Sequence, residues 1–418
     1  PVGDQTALFV GCSARALRQP PYIGRAGPLF LAMAVRLLLL APALASSVAV
    51  YPLQGLGDRD ASSLDPRSSR VSQSMCLGRI DPVRVDTLLG RCAACRLHGA
   101  DAPRLYIKEG VDGLGSRLHD IIAGMAMANH AQLALGGVVY GRKVCQESHG
   151  LHVLQAAGSF FGIGDPRLMF VQHGGPAFNQ SYPRYVSLER GVAKFGRPKP
   201  NSSIFLPGHC LACELDQRGN ASWWYTPKLL RALRESFVWT RPLAFKTGVP
   251  SIAIHVRRGD VELNKSAASG PQAGNNWDMR GVSDEWYFSL IAQVLSAHVP
   301  GADLHVFSSL EGHWNSSDFD GYRARGATVH LDGDPMEVWA HFAAADVLVM
   351  AKSSFSQVPA LLNDNCVIYQ PYMHLPLDGW VSAQANDAQP LDTEAAEKLG
   401  RCVASKMGKK AEPALEAA

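Results

Sequence analysis

The residues most suited to chemistry are His255-Val256-Arg257-Arg258-Gly259-Asp260, which directly follow the apolar run Ser251-Ile252-Ala253-Ile254. Such a run forms a buried strand. The two arginines therefore leave the carboxyl end of a strand side by side, at the edge where open α/β sheets bind ligands. Two planar guanidiniums there suit a diphosphate, which each can grip with paired hydrogen bonds. Neighbouring strand residues point to opposite faces. One of Arg257 and Arg258 should thus reach ligand phosphates, while the other pairs internally with Asp260 or a neighbouring strand. A solvated ion pair at a strand end is the plainer alternative. Arg258-Gly259-Asp260 also spells an adhesion tripeptide, but it continues straight from a core strand.

Three further groups have the right composition. Lys352-Ser353-Ser354-Phe355-Ser356 follows an apolar strand and opens a helix, whose free N–H groups and dipole favour an anion. A simple serine cap is the competing explanation, although three serines exceed what a cap requires. Gly113-Leu114-Gly115-Ser116 lies between a strand and a helix, as an incomplete dinucleotide fingerprint or an ordinary tight turn. Asp332-Gly333-Asp334 is either a metal-binding pair or, with Pro335, a helix start. No metal site is assigned: arginines are present to neutralise phosphate, and no His-x-x-x-His spacing occurs.

The elements that carry these groups alternate regularly in the second part of the chain. Strands are expected at 251–256, 303–307, 328–331, 347–350 and 367–369, with helices at 283–298, 335–345 and 355–362. Such alternation implies a doubly wound parallel sheet. The first part is expected to contain strands at 104–108, 138–140 and 168–171, a helix from Leu118 to about Leu135 broken by Gly136-Gly137, and a helix opened by Thr226-Pro227. A polar break near 248 separates the parts. The organisation expected is an N-terminal segment over 1–45, an irregular stem over 46–103, an α/β domain over 104–247, a Rossmann-like domain over 248–390, and a tail over 391–418. The fold class is α/β, with two facing Rossmann-like domains, mostly parallel sheets and a cleft between them.

Composition narrows the function classes. The chain has 418 residues, 47% hydrophobic, with a net charge of +3. That supports sizeable cores, and the absence of a basic stripe with interleaved aromatics argues against nucleic acid. Met33-Ala34-Val35-Arg36 followed by the apolar Leu37–Leu44 and Ala43-Leu44-Ala45 resembles a cleavable signal peptide. Residues 29–50 would also suffice as a membrane anchor, and both readings stay open. Five Asn-x-Ser sequons, at Asn179, Asn201, Asn220, Asn264 and Asn315, among eleven asparagines point to N-glycosylation of at least some of them. Beyond Ser46 the chain has eight cysteines, an even number that favours disulfides in an oxidising lumen. A four-thiolate zinc site from Cys92, Cys95, Cys210 and Cys213 is the alternative. The expected location is the secretory pathway, in the Golgi or endoplasmic reticulum lumen, or outside the cell.

His255-Val-Arg-Arg-Gly-Asp260, Asp303-Leu-His-Val-Phe-Ser-Ser309 and Ala345-Asp-Val-Leu-Val-Met-Ala-Lys-Ser-Ser-Phe-Ser356, in that order, resemble the three-motif pattern of the α1,2/α1,6/protein-O-fucosyltransferases. The likeness covers about residues 104 to 382. It implies a GT-B-like fold and an inverting, metal-independent transfer of fucose from GDP-fucose to a glycan or glycoprotein, with no cofactor. By motif position, Arg258 would contact the β-phosphate, with Arg257 orienting it or pairing internally. His255 would sit near the nucleoside, and Ser353, Ser354 or Ser356 would donate to phosphate. Gly113, Gly115 and Ser116 would approach the pyrophosphate from the other domain, and Glu337 or Asp334 would be the acidic contact to guanine or ribose. Asp260 and Glu262 are the candidates for catalytic base, or are arginine partners. The α1,6 enzymes carry a lysine where Val261 stands and an acid where Lys265 stands, so that subgroup is disfavoured. A same-fold transferase using another nucleotide sugar, an inactive secreted carbohydrate-binding protein and a cytosolic enzyme are the alternatives.

Overall fold

The computed structural model describes residues 101–108, 113–140, 170–172, 178, 180–208, 210–237, 239–259, 261, 280–311 and 314–416. All belong to one compact unit, Leu64–Ala418. The signal or anchor segment, the stem up to residue 100, Cys76, Cys92, Cys95, Cys145, Asn179, Asn264, Asp260 and Glu262 lie outside the described residues. Among the described residues no helix is long and apolar enough to cross a membrane.

Two sheets are formed, and every strand pair in both is parallel. The first contains β1 (Arg104–Lys108), β2 (Ala134–Tyr140), β3 (Phe170–Gln172), β4 (Gln180–Ser181) and β5 (Ser203–Leu206), in the order β3-β2-β1-β5-β4. The second contains β6 (Ser251–His255), β7 (Asp303–Ser308), β8 (Thr328–Leu331), β9 (Val347–Val349), β10 (Cys366–Tyr369) and β11 (Val381–Ser382), in the order β11-β10-β9-β6-β7-β8. In the second sheet the chain winds one way through β6, β7 and β8, and then the other way from β9. The switch point therefore falls between β6 and β9. Both strands are buried on both faces, as a doubly covered parallel sheet requires.

The helices of the first sheet are α1 (Leu114–His130), α2 (Tyr185–Phe195), α3 (Leu211–Asp216), α4 (Ala221–Trp224) and α5 (Pro227–Ser236). Around the second sheet lie α6 (284–298), α7 (316–323), α8 (Pro335–Ala344), α9 (Ser354–Leu362) and α10 (Thr393–Glu416). Starts follow capping chemistry. Thr226 accepts from Leu229 N with Pro227 in the first turn, and Ser283 accepts from Trp286 N. Asp334 accepts from Met336 N and Glu337 N. Helix α6 widens to π-type turns over Leu290–Leu295.

One apolar core joins β1, α1 and α5 to α8 and α9 through Leu105, Leu118, Leu233, Trp339 and Leu361. A second lies under α6 and α10, around Ile254, Trp286, Tyr322 and Leu399. Polar ties also run from the first sheet's helices to the second sheet's loops. Asp216, at the end of α3, accepts from Leu375 N (3.0 Å) and meets His374 Nδ1 (2.7 Å). Ser222 Oγ accepts from Asp378 N (2.7 Å). Arg234 pairs with Asp364 (3.0 Å).

Several expectations need correction. Helix α1 begins four residues earlier than expected and ends at His130, because Gly136-Gly137 do not break a helix but sit inside β2. A side chain at Gly136 would fall 2.7 Å from the Tyr106 ring, so close strand packing requires the glycine. Cys210 is bonded to Cys213 and Cys366 to Cys402, so the first pair forms a disulfide and does not supply zinc ligands. The Ala-, Glu- and Lys-rich tail after Asp392 needs no such correction: its composition favours a helix, and it is helical over Thr393–Glu416.

Candidate functional site

The site is built on the carboxyl rim of the second sheet, at its switch point. β6 ends at His255 and delivers the two arginines; β9 ends at Val349 and delivers Lys352 and the start of α9. Arg257 Nη1 donates to Ser353 Oγ at 2.6 Å, bridging the two strand ends. Ser353 also caps α9, accepting from Phe355 N at 3.2 Å. A guanidinium and the N-terminus of a nine-residue helix thus converge on one point. Both favour negative charge.

Arg258 turns the other way. Its side chain is 2% exposed and its Nη2 lies 2.5 Å from Asp284 Oδ1. Its Nη1 donates to the carbonyls of Arg257 (3.0 Å) and Val282 (3.3 Å), and its guanidinium sits 4.8 Å from the Trp314 ring centre. Asp284 also accepts from Tyr322 Oη at 2.5 Å. The resemblance put Arg258 at the phosphate, whereas the geometry buries it: Arg258 fastens the start of α6 to the end of β6, and Arg257 is the arginine beside the start of α9. The pattern of alternating faces required one arginine in and one out; it did not say which.

His255 is buried, with its ring 5.5 Å from both Phe342 and Phe355, and its backbone oxygen accepts from Tyr287 Oη (3.1 Å). Burial, reinforced by the nearby Arg257 charge, lowers its pKa to about 3. The ring is accordingly neutral at physiological pH, and its Nδ1 makes no hydrogen bond among the described residues. Gly259 has φ +73, a left-handed conformation that favours glycine, and a side chain there would meet Glu311 Cβ at 3.3 Å. Glu311 is an exposed acid on the β7 rim that the sequence did not single out.

The three serines have different surroundings. Ser353 holds Arg257. Ser354 Oγ lies 2.5 Å from Tyr372 Oη, a partner from the loop after β10. Ser356 is fully buried and donates to the carbonyls of Ala351 (3.3 Å) and Ser353 (3.2 Å). The expectation of a phosphate donor at Ser356 is thus corrected: its hydroxyl braces the turn from within. Burial raises the Tyr372 phenol to about 12, against the lowering effects of the Ser354 hydrogen bond and of Arg257 and Arg280. Tyr372 is a neutral hydroxyl here, and neither it nor Arg280 was found from sequence. No spacing signal marks Arg280; Tyr372 lies in an irregular loop.

The glycine turn of the first sheet does reach this place. A side chain on Gly115 would fall 2.4 Å from Phe355 N and 2.6 Å from Ser354 C, whereas Gly113 has nothing within 4 Å. α1 therefore packs its first turn directly on the start of α9, and Gly113 borders open space. Ser116 is half-buried in the same turn. Glu337 is exposed in the first turn of α8, and no contact to Arg257 or Ser353 is formed by it among the described residues. The Asp332/Asp334 pair is occupied by backbone. Asp332, at φ +52, accepts from Ser309 Oγ (3.0 Å) and Leu310 N (2.9 Å), while Asp334 caps α8. Among the described residues no group of three or more His, Cys, Asp or Glu is placed to hold a metal ion.

No protein-family model matches the chain, and no curated protein does. Solved structures similar to it include the E. coli heptosyltransferase WaaC with ADP-2-deoxy-2-fluoro heptose, at 10% identity and TM-score 0.32, covering 74% of this chain and 100% of that one. A mutant of Arabidopsis thaliana FUT1 in complex with GDP is similar at 11% identity and TM-score 0.34, covering 74% and 80%. POFUT1 in complex with GDP-fucose is similar at 12% identity and TM-score 0.30, covering 63% and 95%.

Proposed function

We propose that this chain is a GT-B-like glycosyltransferase that takes its sugar from a nucleoside diphosphate, specifically fucose from GDP-fucose. The observation that carries the reading is the Arg257–Ser353 contact of 2.6 Å, at the helix start beside the sheet's switch point. The fucosyltransferase-like motifs fall on these same residues, which supports the choice of donor.

The chemistry follows from charge. As the sugar–phosphate bond breaks, the leaving oxygen gains negative charge and the sugar becomes cation-like. A donor fixed at that oxygen stabilises the transition state more than the ground state. Arg257 and the N–H groups opening α9 suit that role, with Ser353 holding the guanidinium in orientation. Neutral His255 suits an uncharged contact to the nucleoside side. Gly113 leaves room for close approach of the diphosphate from the α1 side. For the acceptor's proton the reading keeps Asp260 and Glu262 as candidates, and adds Glu311 beside the Gly259 turn.

The same reading takes 104–247 as the acceptor side and 248–390 as the donor side, with entry into the secretory pathway. The exposed positions of Asn201, Asn220 and Asn315 agree with glycan attachment there.

The test is incubation of the full chain with labelled GDP-fucose and an array of glycans and peptides, with unlabelled GDP, UDP and CMP as competitors. Competition by GDP alone, with label appearing on one acceptor class, is expected. Calorimetry detecting no GDP binding would overturn the proposal and favour a carbohydrate-binding protein without catalysis.

A further inference from the structure

We infer that Arg280 is a second cationic arm of the donor site, gripping the phosphate of a nucleoside diphosphate that Arg257 and the α9 start do not hold. The inference rests on the proposed donor reading and adds a residue that none of the recognisable motifs contains.

Placement comes first. Residues 280–284 are not free to drift, because Arg258 donates to Val282 O and pairs with Asp284. Arg258 and Arg257 are consecutive and on opposite faces. The buried arginine therefore draws the 280–284 segment up against the strand end from which Arg257 projects. Arg280 stands two residues before Val282, half-buried. The Arg258–Asp284 pair explains why an internal arginine sits at a ligand rim: it fixes the segment that carries the next cation.

The second observation concerns partners. Among the described residues, Arg280 makes no hydrogen bond and no ion pair. Arg258 and Arg234 each have a carboxylate within 3.0 Å. A half-buried guanidinium without an anion has lost part of its hydration, and a bound anion restores that interaction. The third observation is proximity to the same reaction zone. Arg280 and Arg257 are the two cations whose fields lower the Tyr372 phenol, and Tyr372 Oη is 2.5 Å from Ser354 Oγ. Two arginines from separate segments, both acting on one tyrosine that is bonded to the helix start, match two linked phosphates better than one.

The experiment measures binding of GDP, GMP and inorganic pyrophosphate by calorimetry, to the full chain and to Arg280→Gln and Arg280→Lys. Thermal melts check that each variant is folded. A lost charged hydrogen bond corresponds to roughly 10- to 100-fold in affinity. Arg280→Gln should weaken GDP and pyrophosphate by that factor while changing GMP less than about threefold; Arg280→Lys should recover part of the loss. Equal loss of GDP and GMP, or GDP binding unchanged in Arg280→Gln, overturns the inference and leaves the donor proposal standing. Pyrophosphate binding that depends on Arg280 without any preference for GDP keeps the inference and removes the guanosine assignment. Absence of both GDP and pyrophosphate binding in the unaltered chain overturns both.

Discussion

The adjacent arginines should separate stability from chemistry, in the opposite sense to that expected from motif position. In Arg258→Ala a guanidinium that is 2% exposed disappears together with its 2.5 Å pair to Asp284 and two carbonyl contacts. Breaking a buried pair costs about 3–5 kcal/mol. Asp284 remains 32% exposed and keeps its bond from Tyr322, so the lower end, about 3 kcal/mol, applies. For a cooperative unit on the order of 300 residues, unfolding entropy of about 2.1 cal/mol/K per residue makes that a fall of roughly 5 °C in Tm. In Arg257→Ala the contact to Ser353, at a half-buried position, is lost; that contact is worth about 1 kcal/mol, or less than about 2 °C. On the proposed donor reading its effect on transfer should be far larger, roughly a hundredfold or more in kcat. The assay pairs differential scanning fluorimetry with single-turnover transfer and GDP calorimetry for both variants. An Arg258→Ala protein that melts like the parent yet binds no GDP, beside an Arg257→Ala protein with unaltered turnover, would refute the assignment of the two faces.

The close approach at Gly115 gives a second test: Gly115→Ala should displace the α9 start, lowering stability by about 1–3 kcal/mol and weakening GDP at least tenfold, whereas Gly113→Ala, with open space around it, should stay within threefold by calorimetry. Acid sensitivity is the third. His255 has a folded pKa of about 3, below its unfolded value of 6.5, so the unfolded chain binds its proton first and stability falls as pH drops from 6.5 towards 3. At pH 5 that costs about 2 kcal/mol relative to pH 7, and urea midpoints of His255→Phe should lack this component; identical pH dependence in parent and variant would count against it. The fourth concerns Cys366–Cys402, which closes 36 residues: Cys402→Ser should lower stability by about 4 kcal/mol on the chain-entropy account, and reductant should add nothing further through this pair.

Sequence revealed the second sheet best. Its strands are short continuous apolar runs, each followed by a capped helix, and both boundary signals survive in the structure: Ser283, Asp334 and Ser353 all cap as their spacing implies. The first sheet was less legible. β5 is four residues, Ser203–Leu206, and β4 only two, too short for periodicity to register. Gly136-Gly137 mislead because glycine marks both chain breaks and close strand approach, and only the Tyr106 ring decides between them. At the site, residue type and order identified Arg257, Ser353 and Gly115 as neighbours in prospect. The face each arginine adopts depends on Asp284 and Tyr322, distant in sequence, and Tyr372 is brought in by a loop with no pattern of its own.

The loop after β10 carries a mechanical implication. Tyr372, bound to Ser354, is two residues from His374, which is held by Asp216 on the far sheet's side, and Asp378 is tied to Ser222 beyond it. Any sliding of α3 and α4 must first unfasten that clasp or drag the tyrosine off the serine. Strain applied on the side of the first sheet is thereby transmitted, through a stretch of only a few bonds, to the turn that opens α9.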